Sequence, residues 1–490
     1  MRALHIPRPQ KSLAPWPLPM QHHGPRQMAD PPAIAITNTP TLPRRWPIGT
    51  GLSSWPVTAV PMGGNYTISR GIPAADGGPT LAYAAGDTVT QNREGVRAPS
   101  STQISFYHEG ERLELHFQIM LDNFLLKIDG EYVSIDPLTA SGTNPHFLIE
   151  FGSRRLRRID IVTFKSPFIQ ARTQPGDALY AAPVRGPRMI VVGDSFTTSD
   201  PDSWVNWFAD GMGWDDVWAS GVGGSGYCSD ALGNRLTFIE RVQADVIDHR
   251  PDIVFIHGSV NDLGFTPAEV REAARTYVST VRRALPDCLV AGGINTPYGV
   301  EFWHPSSLDV VDALREGFES AGGAWMTPLE MPMTQIGEPI GIRATLSASI
   351  IAGRPGNSGT PDQVDVASGF RINSDPADPG TILRTGSTVE IGTGATRERV
   401  VLTAQSVVAG KLAFGFDGAF KFAHAPGEAV REVGPCHMTG LGNVNTPTGW
   451  GTADLYVGPD EYHPSAAGKI ALGQANAALL RDYLARSGRV

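Results

Sequence analysis

A serine at position 195 has the sequence surroundings of a catalytic nucleophile. The β-branched apolar run from Met189 to Val192 is typical of a central strand covered on both faces. Gly193 ends this run, so Asp194 and Ser195 fall at the carboxyl end of the strand, where open α/β sheets bind their ligands. A serine in this position can attack an electrophile if a base reaches its hydroxyl group.

A candidate base occurs near the end of the chain. Asp460 precedes His463 by three positions, which lets the carboxylate hold one ring nitrogen while the other faces a serine. A carboxylate in this role fixes the histidine tautomer and stabilises the imidazolium. Pro464 favours the start of a helix, which we predict over residues 465–486. Glu461 is the neighbouring alternative to Asp460, but its side chain is expected to point elsewhere.

Two stretches of the chain between Ser195 and Asp460 contain hydrogen-bond donors. Residues 221–226, with the sequence GVGGSG, form a glycine-rich loop whose backbone N–H groups can approach a substrate closely. Asn261 follows the apolar run 253–256 and is therefore also placed at a strand end. A serine N–H, a glycine N–H and an asparagine amide are the donor types that an oxyanion hole uses.

These residues form four ordered blocks that resemble those of the SGNH (GDSL-type) hydrolases. The blocks are Gly193-Asp-Ser195, the glycine loop around Gly224, Gly258-x-x-Asn261 and Asp460-x-x-His463. Each block alone is weakly specific, but four in order, each after a predicted strand or at a helix start, are specific together. The resemblance covers residues 186–333 and 439–490.

The resemblance implies a flavodoxin-like three-layer α/β/α catalytic domain and ester hydrolysis through an acyl-enzyme, with no metal or cofactor. It implies that Ser195 is the nucleophile, His463 the base and Asp460 the acid that orients it. The oxyanion hole would then be formed by Ser195 N–H, Gly224 and Asn261. The register in the loop leaves Gly223 and Gly226 open as replacements for Gly224.

Other residues with suitable chemistry have simpler interpretations. Cys228 is expected to be a small buried residue, and Asp194 and Asp262 are expected to bond loop backbone. The rival histidines are His257, which we interpret as a core residue, His304, His424 and His437. Four aromatic residues are candidates for a sugar-stacking rim, with ordinary packing as the alternative: Trp204, Tyr227, Tyr298 and Trp303.

Composition excludes several classes of partner. The net charge of −9 and the lack of a long basic run argue against nucleic acid and anionic membranes. The three cysteines, Cys228, Cys288 and Cys436, have neither metal-site spacing nor an even disulfide framework. No apolar stretch of the length needed for a transmembrane helix occurs. The N-terminus lacks the apolar segment of a standard signal peptide. We therefore expect a cytosolic protein, or one released by lysis or assembled into a virion-like particle.

The 490 residues predict about three domains. Residues 1–47 are Pro-rich and predict an extended arm, laid across another surface and able to support a homo-oligomer or larger particle, or else a flexible tail. Residues 48–185 predict a β-sandwich of jelly-roll type, with hairpins between 103–108 and 112–118 and at Asp129-Gly130. A sandwich before an SGNH domain resembles the layout of some carbohydrate acetylesterases; a structural spacer is the alternative.

From residue 186 the pattern alternates between strands and helices, which predicts a parallel sheet. The predicted strands are 189–193, 216–219, 253–257, 288–294 and 324–327. The predicted helices between them are 204–212, 232–248, 267–285 and 307–321. Residues 334–438 have β-type runs without a helical pattern and predict an inserted β domain, in which 386–432 resembles β modules of phage tail and adhesin-like proteins.

Two accessory β domains and the lack of an apolar lid favour a polymeric ester as substrate. We therefore expect a serine esterase, most simply one that removes O-acetyl groups from a polysaccharide or glycan. The alternatives are a short-chain lipase or thioesterase, and a non-enzymatic glycan-binding or virion-associated protein with an SGNH core.

Overall fold

The structure is a computed structural model that describes the larger part of the chain. The described residues are 25–47, 65–70, 72–74, 85–91, 97–118, 120, 123–164, 166, 168–197, 200–233, 235–258, 260–262, 264–293, 305–326, 338–347, 349–350, 370–371, 388–392, 396, 398–408, 411–416, 419–434, 443–447, 453–460 and 463–488.

The chain divides into two compact units. One unit contains residues 1–294, 313–326 and 469–490, and the other contains residues 295–312 and 327–468. The first unit combines the predicted N-terminal β domain with most of the predicted catalytic domain. The second combines the predicted insert with flanking residues that include Asp460 and His463. The boundaries of these units differ from the predicted domain boundaries. The predicted boundaries follow changes in the secondary-structure pattern, whereas the units reflect which residues pack together.

Antiparallel strands make up the N-terminal part of the first unit. They are β1 (Ala33–Thr37), β2 (Arg44–Pro47), β3 (Thr67–Ser69), β4 (Ile72–Ala74), β5 (Ala85–Gln91), β6 (Arg97–Ser100), β7 (Thr102–Phe117), β8 (Phe124–Ile128), β9 (Glu131–Tyr132), β10 (His146–Thr163), β11 (Phe168–Thr173) and β12 (Ala178–Ala181). Strands β4, β5 and β6 form a small sheet, and the other nine form one sheet centred on β7 and β10. Phe106 and Leu115 of β7 and Phe147 and Ile159 of β10 share one buried core. Among the described residues, the nine strands thus form one continuous sheet around this core, and the jelly-roll sandwich stays a prediction.

One predicted hairpin is wrong and the other is confirmed. Residues 103–108 and 112–118 do not form a hairpin, because β7 runs unbroken through Gly110. A side chain at Gly110 would lie 2.5 Å from His108 and 2.6 Å from Asp177, so this glycine permits close packing within a strand. The hairpin between β8 and β9 turns at Asp129 and Gly130, whose φ values of 54° and 91° suit a type I′ turn.

Part of the predicted N-terminal arm belongs to the sheet. Strand β1 pairs with β10, and β2 pairs with β11. Backbone N–H groups of Thr41 and Leu42 donate to the buried carboxylate of Glu114. The chain is extended here, as predicted, but residues 33–47 lie on this molecule's own sheet; residues 1–24 lie outside the described residues.

A five-stranded parallel sheet forms the α/β part of the first unit. Its strands are β13 (Met189–Gly193), β14 (Val217–Gly221), β15 (Ile253–His257), β16 (Leu289–Gly293) and β17 (Ala324–Trp325). They lie in the order β14-β13-β15-β16-β17, which is the flavodoxin-like order. The strands match the predicted ones to within a few residues. The predicted SGNH-like α/β fold is therefore confirmed, and Ser195 and Asn261 follow neighbouring strands.

Helices cover both faces of this sheet. They are α1 (Trp204–Met212), α2 (Phe238–Asp245), α3 (Pro267–Ala284), the later part of α4 (Pro305–Ser320) and α6 (Ala466–Arg486), whereas α5 (Ala453–Tyr456) belongs to the second unit. Met189 and Val191 share a core with Trp204 of α1 and Leu480 of α6. The opposite side chains of β13 are also buried, and α3 packs on that side of the sheet. None of the described helices is long and apolar enough to cross a membrane.

Helix α2 is shorter than predicted. The apolar spacing predicts a helix over residues 232–248, but the helix begins at Phe238, where Thr237 and Glu240 form a capping box. Leu232 has a φ of 59° and is 99% exposed, so the preceding residues belong to a loop. A short 3₁₀ helix, Ile247–His249, follows α2.

A buried network of charges joins the N-terminal sheet to the α/β part. Asp215, which lies just before β14, accepts hydrogen bonds at 2.8 Å from Arg158, Arg185 and Gln103. Arg158 also donates to Asp160 on its own strand at 3.0 Å. Burial raises the pKa of Asp215, but the hydrogen bond and charge of Arg185 and the charge of Arg158 outweigh it, so this pKa lies below its ordinary value. The N-terminal sheet is therefore built into the same unit as the α/β sheet.

The second unit contains a six-stranded antiparallel sheet. Its strands are β18 (Glu338–Thr345), β19 (Phe370–Arg371), β20 (Thr388–Ile391), β21 (Glu398–Val408), β22 (Lys411–Phe416) and β23 (Ala429–Gly434). They lie in the order β18-β23-β20-β21-β22-β19 around a buried apolar core that includes Val389, Leu402 and Phe414. The regular elements described between residues 338 and 434 are strands, in keeping with the β-type pattern of this segment.

Candidate active site

Ser195 lies on a tight turn at the carboxyl end of β13. The buried carboxylate of Asp194 accepts the N–H of Phe196 at 3.0 Å, and the Asp194 carbonyl accepts the N–H of Thr197 at 3.0 Å. Ser195 itself is half-buried, between buried neighbours on both sides. Asp194 therefore holds the turn through its backbone, as predicted, and Ser195 is the residue that the turn presents.

Two glycines let this turn pack directly against the neighbouring strand. A side-chain carbon on Gly193 would lie 1.9 Å from Oγ1 of Thr197, and one on Gly221 would lie 1.7 Å from the Thr197 carbonyl oxygen. Neither position has room for any side chain. The turn and the start of the glycine-rich loop are consequently in backbone contact.

The glycine-rich loop brings Gly223 against Ser195. A carbon placed on Gly223 would lie 3.6 Å from Cβ of Ser195, whereas one on Gly224 would meet Ala231 at 2.9 Å. Gly226 donates its N–H to the carbonyl of Ser229 at 2.8 Å. The N–H groups of Gly223 and Gly224 have no hydrogen-bond acceptor within the described part of the chain. The sequence favours Gly224 as the donor glycine, but in the structure Gly223 lies next to the serine.

Asn261 ties the glycine-rich loop to the nucleophile turn. It lies in a short 3₁₀ helix, Val260–Asp262, after β15. Its Nδ2 donates to the carbonyl of Ser225 at 3.0 Å and approaches Oδ2 of Asp194 at 3.4 Å. The two predicted donor elements and the Ser195 turn are thus brought together.

Asp262 holds the end of the glycine-rich loop. Its buried carboxylate accepts the backbone N–H groups of Tyr227, Cys228 and Ser229, each at 2.9 Å. A side-chain carbon on Gly226 would lie 2.4 Å from this carboxylate. The predicted backbone-bonding role of Asp262 is confirmed.

Asp460 and His463 form a hydrogen-bonded pair in the second unit. Oδ2 of Asp460 lies 2.6 Å from Nδ1 of His463, and Oδ1 accepts the His463 backbone N–H at 3.0 Å. The His463 carbonyl accepts the N–H of Gly458 at 2.7 Å, and α6 begins three residues later. The predicted carboxylate–histidine pairing is therefore present. Its partnership with Ser195 remains a prediction, and Glu461 lies outside the described residues.

The competing histidines that the structure describes are buried and engaged elsewhere. His257 is only 1% exposed, its ring lies 4.5 Å from that of Trp204, and burial lowers its pKa to about 3. His424 lies in the second unit between Glu398 and Glu428, at 2.9 Å from each. His257 is therefore a core residue, as predicted. His304 and His437 lie outside the described residues.

Cys228 is not suited to act as a nucleophile, and the described aromatic residues are not suited to stack on a sugar. Burial, together with the charge of Asp262, raises the pKa of the Cys228 thiol to about 12, which disfavours the thiolate. Trp204 and Tyr227 are 0% and 2% exposed and pack on other aromatic rings, so they do not form a sugar-stacking rim. Tyr298, Trp303 and Cys436 lie outside the described residues.

Arg241 is a buried arginine of α2 that contacts the strand ends beneath the site, and no sequence pattern predicts this role. An arginine at this position of an amphipathic helix would ordinarily be exposed or partly buried. No local signal distinguishes it, because its partners are contributed by β13 and β14.

Comparison with known proteins agrees with this fold. Residues 191–327, which include Ser195, the glycine-rich loop and Asn261, match the model of the GDSL-like lipase/acylhydrolase family. The predicted resemblance to SGNH hydrolases is confirmed over this segment. No curated protein matches the sequence.

Several solved structures are similar to the chain at low identity. A family two carbohydrate esterase from Cellvibrio japonicus is 13% identical, with a TM-score of 0.41 over 55% of this chain and 88% of that one. An acetyl xylan esterase from the rumen bacterium Butyrivibrio proteoclasticus is 12% identical, with a TM-score of 0.37 over 54% and 87%. A family two carbohydrate esterase from Clostridium thermocellum in complex with cellohexaose is 14% identical, with a TM-score of 0.35 over 46% and 82%. These TM-scores are too low for inferring function.

Proposed function

We propose that the chain is a serine ester hydrolase that acts through an acyl-enzyme on Ser195. The observation that carries this proposal is the half-buried Ser195, at the carboxyl end of β13 with Gly223 against it, in a segment that matches the GDSL-like lipase/acylhydrolase family. We assign the role of the base that such a serine requires to His463, which is bonded to Asp460.

In the proposed mechanism, Oγ of Ser195 attacks the ester carbonyl carbon while His463 takes the hydroxyl proton. The tetrahedral intermediate collapses, the carbon–oxygen bond to the alcohol breaks, and His463 returns the proton to the leaving oxygen. Water then attacks the acyl-enzyme with His463 again as base, which releases the acid and restores Ser195. Asp460 holds the Nδ1–H tautomer and stabilises the imidazolium.

We propose three donors for the oxyanion: the Ser195 N–H, the Gly223 N–H and the second N–H of the Asn261 amide, which lies 3.4 Å from Asp194 while the first donates to Ser225. Gly223 replaces Gly224 in this set because Gly223 lies next to Ser195, while Gly224 faces Ala231. Gly226 is excluded, since Ser229 accepts its N–H. Loss of one such donor typically lowers kcat about 100- to 1,000-fold.

We propose an O-acetylated polysaccharide or glycan as the substrate. The support is architectural: an N-terminal β sheet and a second β sheet accompany the α/β sheet, which suits a polymeric substrate better than a small ester. The N-terminal sheet shares a buried charged interface with the α/β part, so it would be carried as a fixed part of the enzyme.

The proposal is tested by product release from a panel of esters. p-Nitrophenyl esters of increasing chain length and acetylated xylan and bacterial polysaccharides would be incubated with wild type, Ser195→Ala and Ser320→Ala. Ser320 is an exposed serine of α4 and serves as the matched control. We expect acetate release that falls at least about 1,000-fold in Ser195→Ala and is unchanged in the control. Preference for octanoyl or longer esters would favour a lipase, and no serine-dependent turnover would favour a binding protein.

A further inference from the structure

Arg241 is a buried charge directly beneath the Ser195 turn. It lies on α2, is 1% exposed, and spreads its guanidinium over oxygens from two strands. Nη2 donates to the Gly193 carbonyl at 2.8 Å. Nη1 donates to the Ser220 carbonyl at 3.0 Å and to the Ser220 hydroxyl at 2.8 Å.

These contacts lie where the two functional segments leave the sheet. Gly193 is the last residue of β13, and its carbonyl precedes Asp194 and Ser195 in the chain. The same carbonyl accepts the N–H of Val222, which directly precedes Gly223, at 3.2 Å. Ser220 is near the end of β14, where the glycine-rich loop begins. One guanidinium therefore bridges the origins of the serine turn and of the loop that carries Gly223.

The fork of the guanidinium is itself held in place. Nη1 also lies 2.9 Å from Oδ2 of Asp245, one turn further along α2, so its two hydrogens are shared between Asp245 and the two oxygens of Ser220. Asp245 accepts the Ser220 hydroxyl at 2.8 Å, so Ser220 is bound from both sides. A planar guanidinium can serve both strand ends and Asp245 at once, which the single ammonium of lysine cannot. Removal of the cation would take one hydrogen bond from the carbonyls of Gly193 and Ser220 and the paired positive charge from the buried carboxylate of Asp245.

From this arrangement we infer that Arg241 is a positioning residue that sets the separation of Ser195 from the Gly223 N–H. The role rests on the proposed function of Ser195. It acts through Gly193 and Ser220, and Arg241 does not touch the substrate. A displacement of about 1 Å at such a site can lower the rate about 100-fold, so loss of this bridge is expected to affect kcat far more than KM.

The test compares Arg241→Lys with Arg157→Lys. Arg157 is a matched control because it is also buried and donates to three backbone carbonyls, those of Gly110, Ser153 and Arg155, in the N-terminal sheet. Each variant would be assayed for kcat and KM on p-nitrophenyl acetate and for the rate at which a fluorophosphonate probe labels Ser195. Urea unfolding of each variant would measure its stability.

We expect Arg241→Lys to lower kcat and the labelling rate about 10- to 100-fold with KM within about threefold of wild type. Arg157→Lys is expected to lose stability without these losses. Equal kinetics in the two lysine variants, at equal folded fractions, would overturn the role of Arg241.

A second variant covers the case in which Arg241→Lys does not fold. Asp245→Asn keeps Arg241 but removes the carboxylate that holds its guanidinium, so it is expected to lower labelling about threefold to tenfold, with KM within about threefold of wild type. Labelling equal to that of wild type in folded Asp245→Asn would overturn the role, because the guanidinium would then not need to be held for Ser195 and Gly223 to keep their separation. Absence of Ser195-dependent turnover and labelling in wild type would overturn the proposed function, and with it this role.

Discussion

The carboxylate of Asp460 contacts His463 twice, through its ring and through its backbone. Oδ2 lies 2.6 Å from Nδ1, while Oδ1 accepts the backbone N–H at 3.0 Å. The two contacts fix both the backbone and the ring of His463, although the side chain of Asp460 is 50% exposed and that of His463 is 40% exposed. In the proposed mechanism this leaves Nε2 as the nitrogen that exchanges a proton with Ser195.

We therefore expect Asp460→Asn to lower kcat by about tenfold to 1,000-fold with a smaller change in KM, because an amide stabilises the imidazolium poorly. Steady-state kinetics on p-nitrophenyl acetate measures this loss. Asp482→Asn, at an exposed aspartate of α6, is the control and should behave as wild type. Full activity in Asp460→Asn would show that another carboxylate orients the histidine, with Glu461 as the next to substitute.

Two glycines of the loop, Gly223 and Gly226, should respond differently to alanine. Gly223→Ala places a methyl group 3.6 Å from Cβ of Ser195, an ordinary contact, so the fold should tolerate it while kcat falls. Gly226→Ala would bring a carbon within 2.4 Å of the Asp262 carboxylate and disrupt the loop, with a loss of about 2 kcal/mol or more of stability. Urea unfolding and kcat measured on both variants separate these effects. Unchanged kcat in Gly223→Ala would contradict the proposed place of Gly223 beside the reacting carbonyl, because a methyl group there should crowd the ester next to Ser195.

Asp215→Asn should weaken the interface between the N-terminal and α/β sheets. The substitution leaves Arg158 and Arg185 without their shared carboxylate, at a cost of about 3 kcal/mol at pH 7. Because the pKa of Asp215 is lower in the folded state than in the unfolded state, its contribution is present above the unfolded pKa of about 3.9 and is lost as the pH falls through the folded pKa.

Urea unfolding at pH 7 and at acidic pH measures this dependence, and the difference between wild type and Asp215→Asn should shrink towards acidic pH. Glu316→Gln, which removes an exposed ion pair with Arg271, should cost less than about 1 kcal/mol. An equally small effect at Asp215 would mean that the buried network does not hold the two sheets together.

His257 should make the fold sensitive to acid without taking part in catalysis. Its pKa is about 3 in the folded protein and about 6.5 when unfolded, so the unfolded chain binds an extra proton below pH 6.5. Wild type should therefore lose up to about 1.4 kcal/mol of unfolding free energy per pH unit between pH 6.5 and 3 through this residue.

His257→Leu should not show this loss of unfolding free energy at acidic pH, which urea unfolding at pH 7.5 and 4.5 can measure. Neither ring nitrogen of His257 has a partner among the described residues, so the substitution should cost less than about 1 kcal/mol at pH 7. Activity on p-nitrophenyl acetate should stay within about threefold of wild type. A large loss of kcat in folded His257→Leu would contradict the assignment of this histidine to the core.

Local signals in the sequence predicted the α/β part well. Thr266 and Pro267 mark the start of α3, and the apolar run from Met189 to Val192 marks β13, because capping and strand periodicity depend on neighbouring residues. The same signals placed Ser195 and Asn261 at strand ends. A local signal failed at Gly110, where a glycine suggested a turn but serves close packing inside a long strand.

The sequence by itself determined which residue types could do the chemistry, and the order of the strands and helices that carry them. Only the tertiary structure decided which glycine lies against Ser195, that Trp204 and Tyr227 are buried, and that Arg241 bridges β13 and β14. The charged interface at Asp215 joins strands far apart in the chain. Such relationships depend on the packing of distant segments, and a pattern of neighbouring residues contains no information about which distant segment will supply the partner.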